Sequence, residues 1–405
     1  MKTIILVTYD ISPYRGSEAS VSWNYVSNMR SIYRIIVLFG KGKNEIEKYL
    51  KTNKLPNVEF LNIPYVDTNS KGLISDIKYN FNYRRWHYQV YLKAKEIVEQ
   101  EHVDIIHYLN PIGFKEPGFL WKIKNIPYVW GPIQGVENRP FALYPALSTK
   151  GKINAIIRRL VHNGMLWCLP RVRKGLNGAD AVFAATPNTQ KQLKRIYHKN
   201  TVYLPENGII SMERTNPIKY DGGILRLIWI GSVCERKALV ILLEALSKLR
   251  RQNWHLDVLG DGEQKESLQK KYNYLRNNIT WHGMVDRASV QYALLQSHLH
   301  IISSLGEGNP TILWEAFGKA IPTLTLDHCG MSGVVCEKCG IKIPVYSYEQ
   351  VVSDIASKLN EILTNPYIIE NLSIGTIECA KNFMWNNRIG LFNDIYNKII
   401  KNHKS

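Results

Sequence analysis

The feature that most constrains this chain is an alternation of short apolar runs with helix-period segments, which stops once and then begins again. Lys2–Thr8, Arg34–Phe39, Ile105–His107, Tyr128–Trp130 and Ala181–Ala184 read as strands, with Glu18–Met29 and Tyr88–Gln100 as helices among them. The second series has strands at Leu225–Ile230, His255–Leu259, Ile279–Trp281, Leu299–Ser303 and Pro322–Leu326. Its helices are Ala238–Arg251, Gln264–Tyr274, Ala288–Leu295 and Thr311–Phe317. Strands alternating with helices predict parallel sheets covered on both faces. The pause, Pro205–Gly223, is rich in Pro, Gly, Asn and Asp and marks a boundary. The expected class is α/β, with two Rossmann-like, doubly wound domains. The first spans 1–205, a linker 206–222, the second 223–380, and a helical segment 381–405 that can cap the second domain or cross back to the first. Ligands bind such sheets at the carboxyl ends of the strands, so two facing domains would place the active site in the cleft between them.

Composition narrows the partners. No apolar run approaches the ~20 residues that span a bilayer, and Met1–Asp10 reads as a buried strand rather than a signal peptide. The cysteines, Cys168, Cys234, Cys329, Cys336, Cys339 and Cys379, are scattered. Cys336 and Cys339 form one CxxC without a second ligand pair at metal spacing, so reduced thiols, a cytoplasmic location and no metal are expected. Of the net charge of +18, +15 lies in residues 1–210, and residues 138–179 contain no acid. That stretch carries Arg139, Lys150, Lys152, Arg158, Arg159, Arg171, Arg173 and Lys174. Such asymmetry suits a polyanion, either nucleic acid or an anionic membrane face, and the plainer reading is a solvated basic surface. Lys150–Leu169 is amphipathic, with Ile153, Ile156, Ile157, Leu160, Val161, Leu166 and Trp167 among its cations. Tyr83-Arg84-Arg85-Trp86 interleaves aromatic and basic residues, yet no nucleic-acid module signature is present. A peripheral, reversible place on the inner face of the plasma membrane is therefore expected, and no nucleic-acid partner.

The chemistry-bearing residues cluster at strand-to-helix turns. In Gly306-Glu307-Gly308-Asn309-Pro310-Thr311, two glycines allow close backbone approach and the helix start offers N–H groups to an anion. Glu307 in the loop and Glu315 on the helix can accept paired hydroxyl hydrogen bonds, as a sugar and a ribose joined by a diphosphate would supply. Alternatively, each acid pairs with a basic neighbour. After Leu225–Ile230 come Gly231 and then Arg236-Lys237, a pair suited to phosphate oxygens or to an ordinary surface. Gly260-Asp261-Gly262 lacks the third glycine of a dinucleotide fingerprint. In the first series, Gly16 precedes a helix start that Ser17 or Glu18 can cap, and Gly16 could instead meet a phosphate. His107, Asn110, Gly131 and Gln134 follow strand ends, where they form either an acceptor pocket or core and loop.

Taken together these residues resemble the family 4 retaining glycosyltransferases of GT-B fold, in order and over nearly the whole chain. The resemblance rests on Gly16-Ser17-Glu18, Asp104–His107, Glu206-Asn207-Gly208, Arg236-Lys237, Gly260–Gly262, His282-Gly283 and the Glu307-x7-Glu315 element. It implies a nucleoside-diphosphate sugar as co-substrate. Glu307 would lie on the sugar, Glu315 on the ribose, Lys237 on the diphosphate and His282–Val285 beside the base. Gly16, Gly231, Gly260, Gly283, Gly308, Asn309, Pro310 and Thr311 would line the donor, and Glu307, Lys237 and Arg236 would carry the chemistry. Ser17, Ser232 and Leu109 depart from a Gly, an Arg and a His common in the family, and Arg236 would supply the cation that Ser232 does not. The implied reaction is sugar transfer with retention to a lipid-linked or glycan acceptor, in bacterial surface polysaccharide assembly (capsule, O-antigen or exopolysaccharide), without an essential metal. A basic nucleic-acid-binding protein and a GT-B nucleotide-sugar epimerase are the alternatives.

Overall fold

A computed structural model describes residues 1–65 and 73–404. Its first sheet is built from β1 (Lys2–Asp10), β2 (Tyr33–Lys41), β3 (Val58–Asn62), β4 (Ile105–Asn110), β5 (Tyr128–Ile133), β6 (Ala181–Ala184) and β7 (Val202–Tyr203). The strands lie in the order β3-β2-β1-β4-β5-β6-β7, every pairing parallel. The second sheet contains β8 (Leu225–Ile230), β9 (Trp254–Leu259), β10 (Ile279–Gly283), β11 (Leu299–Ile302), β12 (Thr323–Leu326) and β13 (Gly340–Ile343). Its order is β10-β9-β8-β11-β12-β13, again parallel throughout. Both sheets reverse their strand order beside the first strand, which makes β1/β4 and β8/β11 the topological switch points.

The side chains of β1 show why these runs become central strands. Ile5, Val7 and Tyr9 enter one apolar cluster, while Ile4 and Leu6 enter the cluster on the opposite face. A strand covered on both sides is apolar at nearly every position, the pattern of a central parallel strand. The helix Trp385–Lys404 supplies Trp385, Phe392, Tyr396 and Ile399 to the same cluster as Ile4 and Leu6. By contact the chain forms two compact units. The first is 1–137, 164–207 and 385–405, and the second is 138–163 with 208–384. Residues 138–163 join the second unit through Leu143, Tyr144, Leu147 and Ala155, which share its main cluster with Leu227, Val258 and Leu324. Among the described residues, no helix is long and apolar enough to cross a membrane.

Several histidines lie deep in these cores. Burial pushes His107 down to about 4, and His87 and His300 down to about 3. Each is neutral when folded, whereas in the unfolded chain it titrates near its ordinary value of about 6.5. Between those values the unfolded chain binds more protons, so stability falls as pH is lowered through that window. Acidifying from about pH 6.5 to about pH 5 should cost roughly 2 kcal/mol for each of them. Scanning calorimetry should show Tm falling steadily over that range, and a flat profile would contradict the buried-neutral assignment.

Candidate functional site

In the second unit, the loops after β8, β9 and β10 pack backbone to backbone. Gly260 has φ +133°, and a Cβ there would stand 1.9 Å from the carbonyl oxygen of Gly231. Gly260 N donates to Gly283 O at 2.8 Å, and Gly231 N donates to Leu259 O at 3.0 Å. Glycine at 260 is thus required by close approach as well as by the left-handed backbone. His282 is engaged from the side, with Nε2 2.7 Å from Asp257 Oδ1.

The loop after β8 carries Arg236 and Lys237 to the next strand. Lys237 Nζ lies 2.9 Å from Glu307 Oε1, and Arg236 pairs with the same oxygen. Leu305 N donates to Arg236 O at 2.8 Å, and Ser303 Oγ donates to Lys237 O at 3.0 Å, so backbone bonds fix the two loops together. Since β8 and β11 flank the switch point, this charged group stands where such sheets bind ligands. Glu307 and Lys237 are largely enclosed and Arg236 is open to solvent. The Thr311–Gly318 helix begins just beyond, after Pro310, and no side chain caps it, which leaves its first N–H groups for an anion. Gly308 is held at close range by the following loop: a Cβ on Gly330 would lie 1.9 Å from Gly308 O. Asn309 beside it is buried.

Glu315 is held apart from this group. Its oxygens accept from Arg287 Nη2 at 3.1 Å and Gln291 Nε2 at 2.6 Å, both on the helix Arg287–Leu295. Both acids of the Glu307-x7-Glu315 element are therefore paired with basic or amide neighbours. For Glu307 those neighbours are the two cations read as phosphate ligands.

One cation of this group was not legible as such. Arg139, read from sequence as part of a basic surface, reaches the loop at Gly306, where a Cβ would lie 3.6 Å from Arg139 Cγ. Burial, then Arg158 and Arg236, push its pKa below the ordinary arginine value. Its position follows from Glu235, whose carboxylate accepts from Ser148 N at 2.9 Å at the entry of the Thr149–Cys168 helix. That contact docks 138–163 against the loop after β8, a link no local pattern reveals.

Of the first-unit candidates, His107 and Asn110 are structural. His107 is fully buried; its Nε2 donates to Gly131 O at 2.6 Å and its Nδ1 accepts from Tyr396 Oη at 2.6 Å. Asn110 is also fully buried: its Oδ1 accepts from Tyr9 N and Thr8 Oγ1, each at 2.8 Å, and its Nδ2 donates to Glu18 O at 3.1 Å. Both side chains are spent inside the fold. Gly131, with φ +119°, is pressed on the Phe183 carbonyl, and Gln134 pairs with Gly113 as an isolated bridge. Gly16 precedes the helix Ser17–Met29 with no side-chain cap, and the side chain of Ser17 lies outside the described residues.

Residues 225–365 match the family model for glycosyl transferases group 1. A Bacillus subtilis protein named as a teichuronic acid biosynthesis glycosyltransferase is 22% identical over 209 residues, 49% of this chain and 52% of its own. An uncharacterized glycosyltransferase of Methanocaldococcus jannaschii is 27% identical over 164 residues, 39% of each chain. The chain thus spans about half or less of the length of these curated relatives. Among solved structures, the lipopolysaccharide outer core galactosyltransferase WaaB superposes with TM-score 0.65 at 16% identity, over 98% of this chain and 99% of that one. Anabaena HepE in complex with UDP and glucose gives 0.62 at 12% identity, over 98% and 100%. WaaG, a glycosyltransferase of lipopolysaccharide biosynthesis, gives 0.61 at 17%, over 97% and 99%. These likenesses and the two parallel sheets establish the GT-B fold.

Proposed function

We propose that the chain is a retaining glycosyltransferase that moves a sugar from a nucleoside-diphosphate sugar to a lipid-linked acceptor in bacterial surface polysaccharide assembly. The observation that carries this reading is the convergence of Arg236, Lys237 and Glu307 at the carboxyl ends of β8 and β11. Breaking the bond between anomeric carbon and diphosphate leaves negative charge on the leaving group. Arg236, Lys237 and the Thr311 helix start are placed to meet that charge, as preorganised donors do in other transferases. A diphosphate arriving there takes the two cations over from Glu307, whose freed carboxylate can then accept from sugar hydroxyls. Glu315, on the next helix, serves the ribose in the same scheme. The matched family model and the UDP-bound neighbour support a nucleotide sugar as donor. With fixed cations at the leaving group, no divalent cation is needed for transfer. A donor panel offered with lipid-linked acceptors should give product of retained anomeric configuration, equally well with Mg²⁺ and Mn²⁺ withheld. Inverted product, or transfer only with added metal, contradicts this mechanism.

In the same reading the acceptor lies at an anionic membrane face, and the Thr149–Cys168 helix supports this. It packs through Ala155 and Leu166, yet Ile153, Ile156, Ile157, Leu160, Val161 and Trp167 are exposed on its opposite side. Leu160 and Trp167 are 67% and 58% exposed, and no packing among the described residues covers them. Lys150, Lys152 and Arg158 flank the stripe and are exposed, the pattern of a helix lying in a headgroup layer. Arg159 and Arg171 are less available, since Arg159 donates to Arg139 O and Arg171 pairs with Glu116 at 2.8 Å. Each exposed cation contributes about 1 kcal/mol at such a surface. Changing Lys150, Lys152, Arg158, Arg173 and Lys174 together to Ser should therefore cut sedimentation with anionic liposomes more than tenfold at moderate salt. Binding indifferent to lipid charge or to these changes would remove the membrane from the account and leave the transferase standing.

A further inference from the structure

The fold gathers three sulfurs that are far apart in sequence. Cys336 and Cys339 bracket a tight turn closed by Cys339 N donating to Cys336 O at 3.1 Å. Cys336 N also donates to Cys339 Sγ at 3.2 Å. The helix Tyr367–Lys381 is pressed onto this turn through Gly375, where a Cβ would stand 1.9 Å from Lys338 O. Thr376 Oγ1 donates to Cys339 O at 3.1 Å. Four residues after Gly375, on the same helical face, Cys379 brings its Sγ to 3.4 Å from Cys336 Sγ, which is 3.5 Å from Cys339 Sγ. All three sulfurs lie within 4.8 Å of one another, and all three are free thiols.

We propose that Cys336, Cys339 and Cys379 form a zinc site with three thiolate ligands and water in the fourth position. Tetrahedral zinc with bonds of about 2.3 Å places its sulfurs about 3.8 Å apart, so the observed spacing needs only small opening of the cluster. The backbone N–H of Cys336, directed at Cys339 Sγ, favours the thiolate form of that sulfur. Cys336 and Cys379 are half-buried, which leaves a side for water, while Cys339 is enclosed. On binding, each thiol releases its proton to solvent and donates a lone pair to the metal, with no change of oxidation state. Thiolates select a soft, d¹⁰ ion over Mg²⁺ or Ca²⁺. The bound ion ties the turn before β13 to the Tyr367–Lys381 helix. Through the short helix Met331–Val334 that tie reaches Gly330, whose N–H bonds Glu307 O at 3.3 Å. The ion is a staple behind the candidate site, distinct from any metal at the diphosphate.

The reduced, metal-free chain titrated with Co²⁺ should develop a thiolate-to-cobalt charge-transfer band that saturates at one equivalent and is displaced by Zn²⁺. Cys336→Ser, Cys339→Ser and Cys379→Ser should each weaken zinc affinity by at least the roughly 10–100-fold that a lost supporting group costs a metal site. Cys168→Ser, at an exposed position outside the cluster, should leave affinity unchanged. Because a serine could disturb the packing here, alkylation of the native chain provides an independent readout. Zn²⁺ should slow modification of Cys336, Cys339 and Cys379 and leave Cys168 as reactive as before. No charge-transfer band with the native chain, a band that survives Cys379→Ser, or equal protection of Cys168 would each overturn the site.

Discussion

Glu307→Gln should keep the fold and lower transfer at least tenfold. The carboxylate is only 12% exposed and accepts from both Lys237 and Arg236. A hydrogen bond to a charged group contributes about 1.5–3 kcal/mol, and ~1.4 kcal/mol at the transition state is tenfold in rate. Glutamine preserves shape but cannot hold two cations, nor orient sugar hydroxyls with two equivalent acceptors. The loop itself is held by backbone bonds, including Gly330 N to Glu307 O, which the substitution leaves in place. Tm and circular dichroism should therefore change little while kcat falls. The same variant removes a negative charge beside two positive ones, so nucleoside diphosphate should bind as well as before or better. Wild-type turnover in this variant would remove Glu307 from the site.

Lys237→Ala should weaken binding of nucleoside diphosphate by about ten- to a hundredfold, the equivalent of ~1.5–3 kcal/mol, and leave binding of the free nucleoside nearly unchanged. The ammonium is 14% exposed, and its stem packs on Gly231, where a Cβ would be 3.3 Å from Lys237 Cε. An enclosed point charge with a fixed stem discriminates for phosphate rather than for base. Isothermal titration with the two ligands measures the difference directly. Equal losses for both would place Lys237 away from the phosphates.

The fold was legible where burial left its signature on composition. β6 is an apolar run because both its faces are covered, β8 is apolar apart from the exposed Arg226, and the expected bounds coincide with both strands. β3 was missed because it is an edge strand with no fully buried residue, and β7 because it has only two residues. β13, also at an edge, carries Gly340 and Lys342 in place of an apolar run. The helix read as Ala238–Arg251 is shorter, Leu239–Leu246. Its end tightens into turns where Lys248 N bonds Ala245 O and Leu249 N bonds Leu246 O.

Within the candidate site, Arg236, Lys237 and Glu307 were readable because each sits in a strand-to-helix turn, and the α/β topology carries such turns to one sheet edge. Arg139 was hidden because its place depends on Glu235 meeting the start of a helix from a distant part of the chain. His107 and Asn110 carry no sequence mark separating a strand end that opens to ligand from one closed over by Tyr396, Tyr9 and Thr8. The CxxC looked incomplete for the same reason: its third sulfur comes from a helix beyond β13, aligned by Gly375 and Thr376.

The central claim is that the charge group at β8 and β11 binds a nucleoside-diphosphate sugar and hands its sugar to an acceptor. It is tested most directly by measuring nucleoside diphosphate released and sugar gained by the acceptor in one reaction. One nucleoside diphosphate should appear for each sugar added, release should nearly cease without acceptor, and both quantities should fall together in Glu307→Gln. Release that ignores the acceptor, or that persists undiminished without the Glu307 carboxylate, would contradict the claim.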